Sequence, residues 1–440
     1  MENIYTISDF GACAQAEINT EAIQQAIDTC ALNGGGVVEI PSGTYRTGTL
    51  RLCSNLTIYL SPGAVLKGSS DMQDYRSFGY THCEFGDVLS LFYAENCTNL
   101  SFAGSGTIDF NSEAFFDKKR AHSKKIDVEK LTPEQEQYEL AYEVRPNQMM
   151  FFHNCQKIRI SNIHIMNAAC WGVVFSNCSE IYITGLQIRN SLRVPNCDGI
   201  HLSSCKNVII KGCDIVSGDD CIAITCIDGW EFSSENTIIS DCLLCSASAG
   251  VRIGYWHSRV KNVRITNCIM YECTRGICVM SCGQGLVEDV CISEVSIQTT
   301  SRVGGWWGIG EPVYIMALPH EVQNHRKYLM NEPEKKVNVK NITFSGLKIK
   351  AVNPMVMVGN ANISDIRFYQ TEYSAIDHPN EAFFGDQLDL NPSQEIRSKD
   401  GNAYWGYFEG VKNLKVEDIR ITDCRSKRSK ALECFCKDVD

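Results

Sequence analysis

The sequence predicts an all-β fold: a single-stranded, right-handed parallel β-helix with coils of about 25 residues and a capping helix at its N-terminal end. Three observations predict it. Short segments with apolar residues at alternate positions recur along most of the chain, a polar residue (often Asn or Asp, with Cys close by) precedes each one, and no helical pattern separates them. Period-two strands returning every roughly 20–30 residues mark a solenoid, and short strands without intervening helices favour a β-helix over leucine-rich or helical arrays.

An open solenoid end exposes apolar surface and needs a cap. Thr20 to Ala31 supplies one, because Ile23, Ala26, Ile27 and Cys30 fall on a single helical face. The run Gly34-Gly35-Gly36 stops this helix, and Val37-Val38-Glu39-Ile40-Pro41 starts the first strand. The repeat then reads Asn99-Leu100-Ser101-Phe102, Lys157-Ile158-Arg159-Ile160, Glu180-Ile181-Tyr182-Ile183, Asn207-Val208-Ile209-Ile210 and Asn236-Thr237-Ile238-Ile239. It continues through Asn262-Val263, Asp289-Val290, Asn341-Ile342, Asp365-Ile366 and Asn413-Leu414. Ile158, Ile181, Val208, Ile238, Val263 and Val290 anchor successive coils, each falling roughly 20–30 residues after the last. The steps from Val290 to Ile342 and from Ile366 to Leu414 are each about twice as long, which reads as two coils apiece.

The whole chain, 1–440, is expected to be one domain with long insertions near 110–147 and 374–410. Long insertions in compact folds are usually functional or disordered, and these two are expected to wall a cleft. In the first, Thr132-Pro133-Glu134-Gln135 has the signature of a helix start.

The formal net charge is −11 with no basic block, so nucleic acid is not an expected partner. No stretch approaches the roughly 18 apolar residues of a membrane span. The start, Met1-Glu2-Asn3-Ile4-Tyr5, lacks the basic and apolar regions of a secretion signal, so the expected location is cytoplasmic. The 23 cysteines are then read as reduced, mostly buried small apolar residues; their close pairs lack zinc-site spacing, and no metal or other cofactor is expected.

Chemistry concentrates in two adjacent coils. Asn196-Cys197-Asp198-Gly199-Ile200-His201 is followed, about one coil on, by Gly218-Asp219-Asp220-Cys221. Residues one coil apart stack on strands about 4.8 Å apart, so Asp198, Asp219 and Asp220 converge. Like charges at that range raise one another's pKa, which suits one carboxyl as a general acid while its partners stay ionised to activate water.

With these motifs in place, the chain resembles glycoside hydrolase family 28, the polygalacturonase-like, pectin-degrading β-helix enzymes. The resemblance extends to Phe10-Gly11-Ala12, Asn19-Thr20, Gly34–Gly36 and Gly63-Ala64. It implies an inverting glycosidase in which Asp219 protonates the leaving oxygen and Asp198 and Asp220 hold and deprotonate the attacking water. The chain departs from the family twice. Where a Gly-His-Gly motif is usual it has Ser248-Ala249-Gly250, without His, and Cys278 and Met280 stand at the basic positions of the Arg-Ile-Lys motif. The expected substrate is therefore an oligosaccharide or glycoside, pectin-derived or other, trimmed from one end.

Asn196, His201, Arg252, Arg275, Trp306, Trp307 and Glu311 are the candidate substrate-binding residues. Arginines clamp carboxylates or bond sugar hydroxyls, paired tryptophans on a loop stack on sugar faces, and Glu311 can accept hydroxyl hydrogen bonds. Two alternatives stand beside hydrolysis: a β-helix polysaccharide lyase using calcium, and a non-catalytic carbohydrate-binding solenoid. A homo-oligomer is left open.

Overall fold

The computed structural model describes residues 3–440 apart from 125, 228–231, 283–284, 305–306, 319–337, 385, 394–396 and 427–429. Its strands form a parallel β-helix of three faces, in which most strands pair in parallel with the strand three further on in sequence. One face carries the register Leu100–Ile158–Ile181–Val208–Thr237–Val263–Val290–Ile342–Ile366–Leu414.

This register corrects the expected spacing in two ways. Val208 pairs with Thr237, so buried Thr237 takes the core position and Ile238 points outward, 43% exposed. A one-residue shift exchanges every side chain between faces, and two consecutive isoleucines hid the shift from a reading of apolar pattern alone. Val290 also pairs directly with Ile342, and Ile366 with Leu414. Each long interval is thus one coil with an insertion, and the first holds a stretch between Thr299 and Asn338 that the repeat did not reveal.

The polar residue opening each repeat has a backbone reason. Asn99, Asn207, Asn236, Asn262, Asn341 and Asn413 all lie at positive φ, a left-handed conformation that Asn tolerates better than most residues. Their side chains join coil to coil: Asn236 Nδ2 donates to Asn207 Oδ1 at 2.9 Å, and Asn262 Nδ2 to Asn236 Oδ1 at 2.7 Å. Cysteines form a parallel inner ladder, with Cys97 N–H donating to Cys155 Sγ at 3.4 Å and Cys155 N–H to Cys178 Sγ at 3.3 Å.

Helix α1, Thr20–Leu32, covers the N-terminal end with Ile23, Ala26, Ile27 and Cys30 buried. A strand Ile4–Thr6 precedes it and pairs with Gly36–Ile40, so the first strand lies earlier than expected. The 110–147 insertion contains the antiparallel pair Phe116–Ala121 and Leu140–Tyr142. The expected helix start yields only a 3-10 turn, Pro133–Gln135, with Gln135 Oε1 accepting from Thr132 N–H at 3.2 Å. The second insertion is shorter than 374–410, because the strand Ala403–Asp423 already belongs to the last coils.

Candidate active site

The face that carries the candidate aspartates runs through β1 (Trp171–Ser176), β2 (Ile200–Ser203), β3 (Ile222–Thr225), β4 (Ala249–Ile253), β5 (Arg275–Met280) and β6 (Glu311–Ala317). Alternation sends Val173, Ile200, Ile222, Val251, Ile277 and Val313 into the core. Val174, His201, Ala223, Arg252, Cys278 and Tyr314 form the outer row in register.

The aspartates sit on the turns that enter β2 and β3. Asp219 N–H donates to Cys197 O at 3.2 Å and Gly199 N–H to Asp220 O at 2.9 Å, which ties the two turns together. The glycines in both motifs follow from that closeness. A Cβ on Gly199 would lie 2.6 Å from the Cys221 carbonyl oxygen, and one on Gly218 would collide with the Val194 carbonyl. Asp198, Asp219 and Asp220 are all buried, with Asp219 the most exposed at 5%.

Each carboxyl has a different environment. Asp220 Oδ1 accepts from Ser248 Oγ at 3.1 Å and from Ala249 N–H at 3.2 Å, while Oδ2 takes Arg252 Nε. Asp198 Oδ2 pairs with His201 Nδ1 at 2.7 Å, and its Oδ1 is buried with no hydrogen-bond partner. Asp219 Oδ1 accepts from Asp220 N–H at 3.0 Å. Burial first, and then the charge of Asp220, push Asp219 up to about 7. Burial and the charges of Asp219 and Asp220 raise Asp198 well above the usual carboxylate range. Asp219 and Asp198 are thus both pushed toward the protonated form, beside an Asp220 whose carboxyl oxygens accept from Ser248, Ala249 and Arg252.

Arg252 lies among the aspartates rather than at a sugar-binding rim. Burial works against its charge, but Asp220 and Asp198 more than offset that and keep it cationic. Its guanidinium stands 5.0 Å from the Tyr255 ring, which in turn lies 5.8 Å from Trp307. Trp307 is half-buried on this wall; Trp306 falls outside the described residues.

Three other candidates do not reach the cleft as expected. His201 is fully buried, stacked 3.8 Å from Trp171, with Nε2 at 2.9 Å from Thr225 Oγ1. Both ring nitrogens are occupied, so it positions Asp198 instead of meeting sugar. Arg275 is 1% exposed and clamps the second insertion, donating to Asn391 O at 3.0 Å and to Asp389 O at 2.9 Å. Its guanidinium also lies 3.7 Å from the centre of the Tyr314 ring. Glu311 is buried beneath it; Oε2 accepts from Ile309 N–H at 2.9 Å, and burial pushes the carboxyl up to about 7. Asn196, at positive φ, is held by Arg145, whose Nη2 donates to Asn196 Oδ1 at 2.9 Å.

Sequence reasoning missed Arg145, Glu139, Ser248, Tyr255 and Trp171. Arg145 also donates to Ala169 O at 2.7 Å and Pro195 O at 2.5 Å, strapping the first insertion to the turn before Asp198. No motif announces these residues, since insertion side chains follow no repeat. Ser248 alone had a signal, its position one coil beyond Asp220.

A β-helix with three aspartates gathered on adjacent turns defines a class of carbohydrate-active protein, and the comparisons name the family. Residues 30–359 match glycosyl hydrolases family 28, and the chain belongs to that family. It is 31% identical over 238 residues to a probable polygalacturonase of Vitis vinifera, covering 51% of this chain and 44% of that protein. The chain spans less than two thirds of the length of the curated relatives it matches first. Among solved structures, a family 28 exopolygalacturonase of Yersinia enterocolitica superposes with a TM-score of 0.65 at 18% identity, over 100% of this chain and 78% of that one. A hyperthermoactive exopolygalacturonase of Thermotoga maritima gives 0.63 at 22% identity, over 85% and 88%. These two likenesses concern the fold.

Proposed function

We propose that this protein hydrolyses a glycosidic bond of a pectin-derived oligosaccharide, acting from a chain end with inversion. One observation carries the reading: three buried carboxyls share one site, and only Asp219 combines some exposure with a proton held to near neutrality. In this reading Asp219 donates that proton to the leaving oxygen. Asp198 and Asp220 orient water on the opposite face of the sugar ring and one of them takes its proton. His201 fixes Asp198, and Arg252 bonds Asp220 and lies beside Asp198.

End-wise action is supported by the walls. The first insertion strapped by Arg145, the aromatic pair Tyr255 and Trp307, and the segment around His82 and Phe85 packed on Trp171 at 5.0 and 5.1 Å leave the site flanked on several sides. A cytoplasmic location is supported by the cysteines, all 23 of them reduced thiols and most of them buried in the coils.

Hydrolysis of galacturonides, rhamnogalacturonan fragments and neutral glycosides by wild type beside Asp219→Asn tests the reading. Release of reducing ends by wild type alone is the expected result. Binding of the same oligosaccharides with no hydrolysis by either protein would favour a carbohydrate-binding solenoid, a reading to which the lack of the usual family His, with Ala249 or Ser248 in its place, gives some weight.

A further inference from the structure

A cavity of about 720 Å³ lies where both insertions meet the coils, on a different face from the aspartates. Val216 and Gln298 line it from the strands Asp214–Ser217 and Ser296–Thr299. Their neighbours Ile215 and Ile297 are buried in the core, so Val216 and Gln298 point outward. Gln137 of the first insertion and Ile376 and Asp377 of the second complete the wall.

Three donors on this wall lack acceptors. Arg302 is 6% exposed, and its polar neighbours are the Cys245 thiol and, at 3.8 Å, the Glu272 carboxylate. A guanidinium has five N–H donors, so these neighbours leave most of them open. Arg193 spends Nε on Tyr138 O at 3.1 Å, and its Nη2 is buried without a partner. Asn190, also 6% exposed, accepts from Ala168 N–H through Oδ1 at 2.9 Å, while its Nδ2 has no partner. Among the described residues that line the cavity, no buried acceptor is left unpaired. The wall therefore lacks an acceptor, and two guanidiniums suit an anionic one.

The rest of the lining indicates what the anion is attached to. The carboxylates of Glu136, Glu272 and Asp377 also line the cavity; they accept from hydroxyls and repel a second negative charge. Val216, Val352 and Ile376 offer apolar surface to the C–H groups of a ring. We propose that this cavity is a second carbohydrate site, which takes a sugar acid with its carboxylate on Arg302 and Arg193 and its hydroxyls on the surrounding carboxylates. The ligand is either the free acid or the acidic end of an oligosaccharide. The site uses none of the three aspartates, so it stands whether or not they hydrolyse a glycoside.

Calorimetric titration of the full chain with D-galacturonate, D-galactose and inorganic phosphate reads the site directly. Galacturonate should bind, and galactose, which lacks the carboxylate, should bind about tenfold more weakly or worse. Arg302→Met should weaken galacturonate by about tenfold or more. Gln298→Glu, at an exposed position of the wall, adds a negative charge without removing a buried group and should weaken it about threefold. Thermal unfolding confirms that each variant is folded. Trp307→Ala, on the cleft wall, should leave this binding unchanged. Digalacturonate titrated into Asp219→Asn separates the two sources: Arg302-dependent binding tighter than the monomer's marks a chain end, and weaker binding marks the free acid. Galacturonate binding that Trp307→Ala weakens and both cavity variants spare would place the ligand in the cleft and overturn the proposal. So would no binding at all, or equal binding of galactose or of phosphate. Hydrolytic activity enters none of these outcomes, so failure here leaves the reading of the aspartates untouched.

Discussion

Arg252 Nε bonds Asp220 Oδ2 while its Nη2 lies 3.8 Å from Asp198 Oδ2, so a single guanidinium reaches carboxyls from two successive coils. It stands in the outer row one coil beyond Ala223, where a side chain from β4 can reach back over both turns. Removing it leaves buried carboxylates without a counter-charge, a change that typically costs about 3–5 kcal/mol. Arg252→Met is therefore expected to lose about that much stability at neutral pH in denaturant titrations. Without the cation the folded-state pKa of Asp198 rises further, so the deficit should shrink as pH falls and the carboxyl protonates. A deficit that stays constant with pH would mean that packing, not charge, is what Arg252 contributes.

Asp219 sets a second pH dependence. Its folded pKa, near 7, lies above the ordinary aspartate value. Its contribution to stability is therefore full below the ordinary value and is lost as pH rises through 7. Replacing it with neutral Asn should raise stability at pH 8 relative to wild type by at least about 1 kcal/mol, and change it little at pH 4. The same substitution should abolish hydrolysis, an exchange of activity for stability expected where like charges are held together for chemistry. Unfolding curves of both proteins at the two pH values check this.

How much of this was legible in the sequence depends on which force placed each residue. Asp198, Asp219 and Asp220 were readable because the coil repeat alone brings them onto neighbouring turns, and the glycines beside them are demanded by backbone contact. Helix α1 was readable from its apolar face. Arg275 and Glu311 were misplaced because the repeat gives a residue's coil but not what an insertion lays over it; Asp389 and Asn391 cover them from far along the chain. Two long intervals were misread for a related reason, since the pattern counts apolar anchors and cannot tell a second coil from an insertion. His201 was assigned to the cleft from its position beside Asp198, although its place in the outer row under Trp171 buries it.

The Arg275 clamp gives a third expectation. Besides the carbonyls of Asp389 and Asn391 it has the Asp389 carboxylate at 3.3 Å, and that carboxylate also accepts from Gly308 N–H at 2.5 Å. One side chain therefore fixes both the second insertion and the loop after Trp307. Arg275→Met should destabilise the protein by about 3–5 kcal/mol and make the insertion more susceptible to limited proteolysis. Any surviving hydrolysis should show KM raised more than kcat is lowered, as expected when a wall loosens and the acid does not move.

The asparagine ladder gives the last. Asn236 holds a positive φ and bonds both its neighbours, donating to Asn207 and accepting from Asn262. Asn236→Ala removes both hydrogen bonds and places a Cβ-bearing residue that lacks the local bonding of Asn in the left-handed region, at a cost of roughly 1–2 kcal/mol from the backbone alone. Asn236→Gly removes the same hydrogen bonds but accepts the backbone without strain. Denaturation midpoints should therefore rank wild type above Gly and Gly above Ala. The gap between Gly and Ala measures the conformational demand, and that between wild type and Gly the ladder together with the greater freedom of an unfolded glycine. Equal midpoints for Gly and Ala would show that conformation is not why Asn opens each coil.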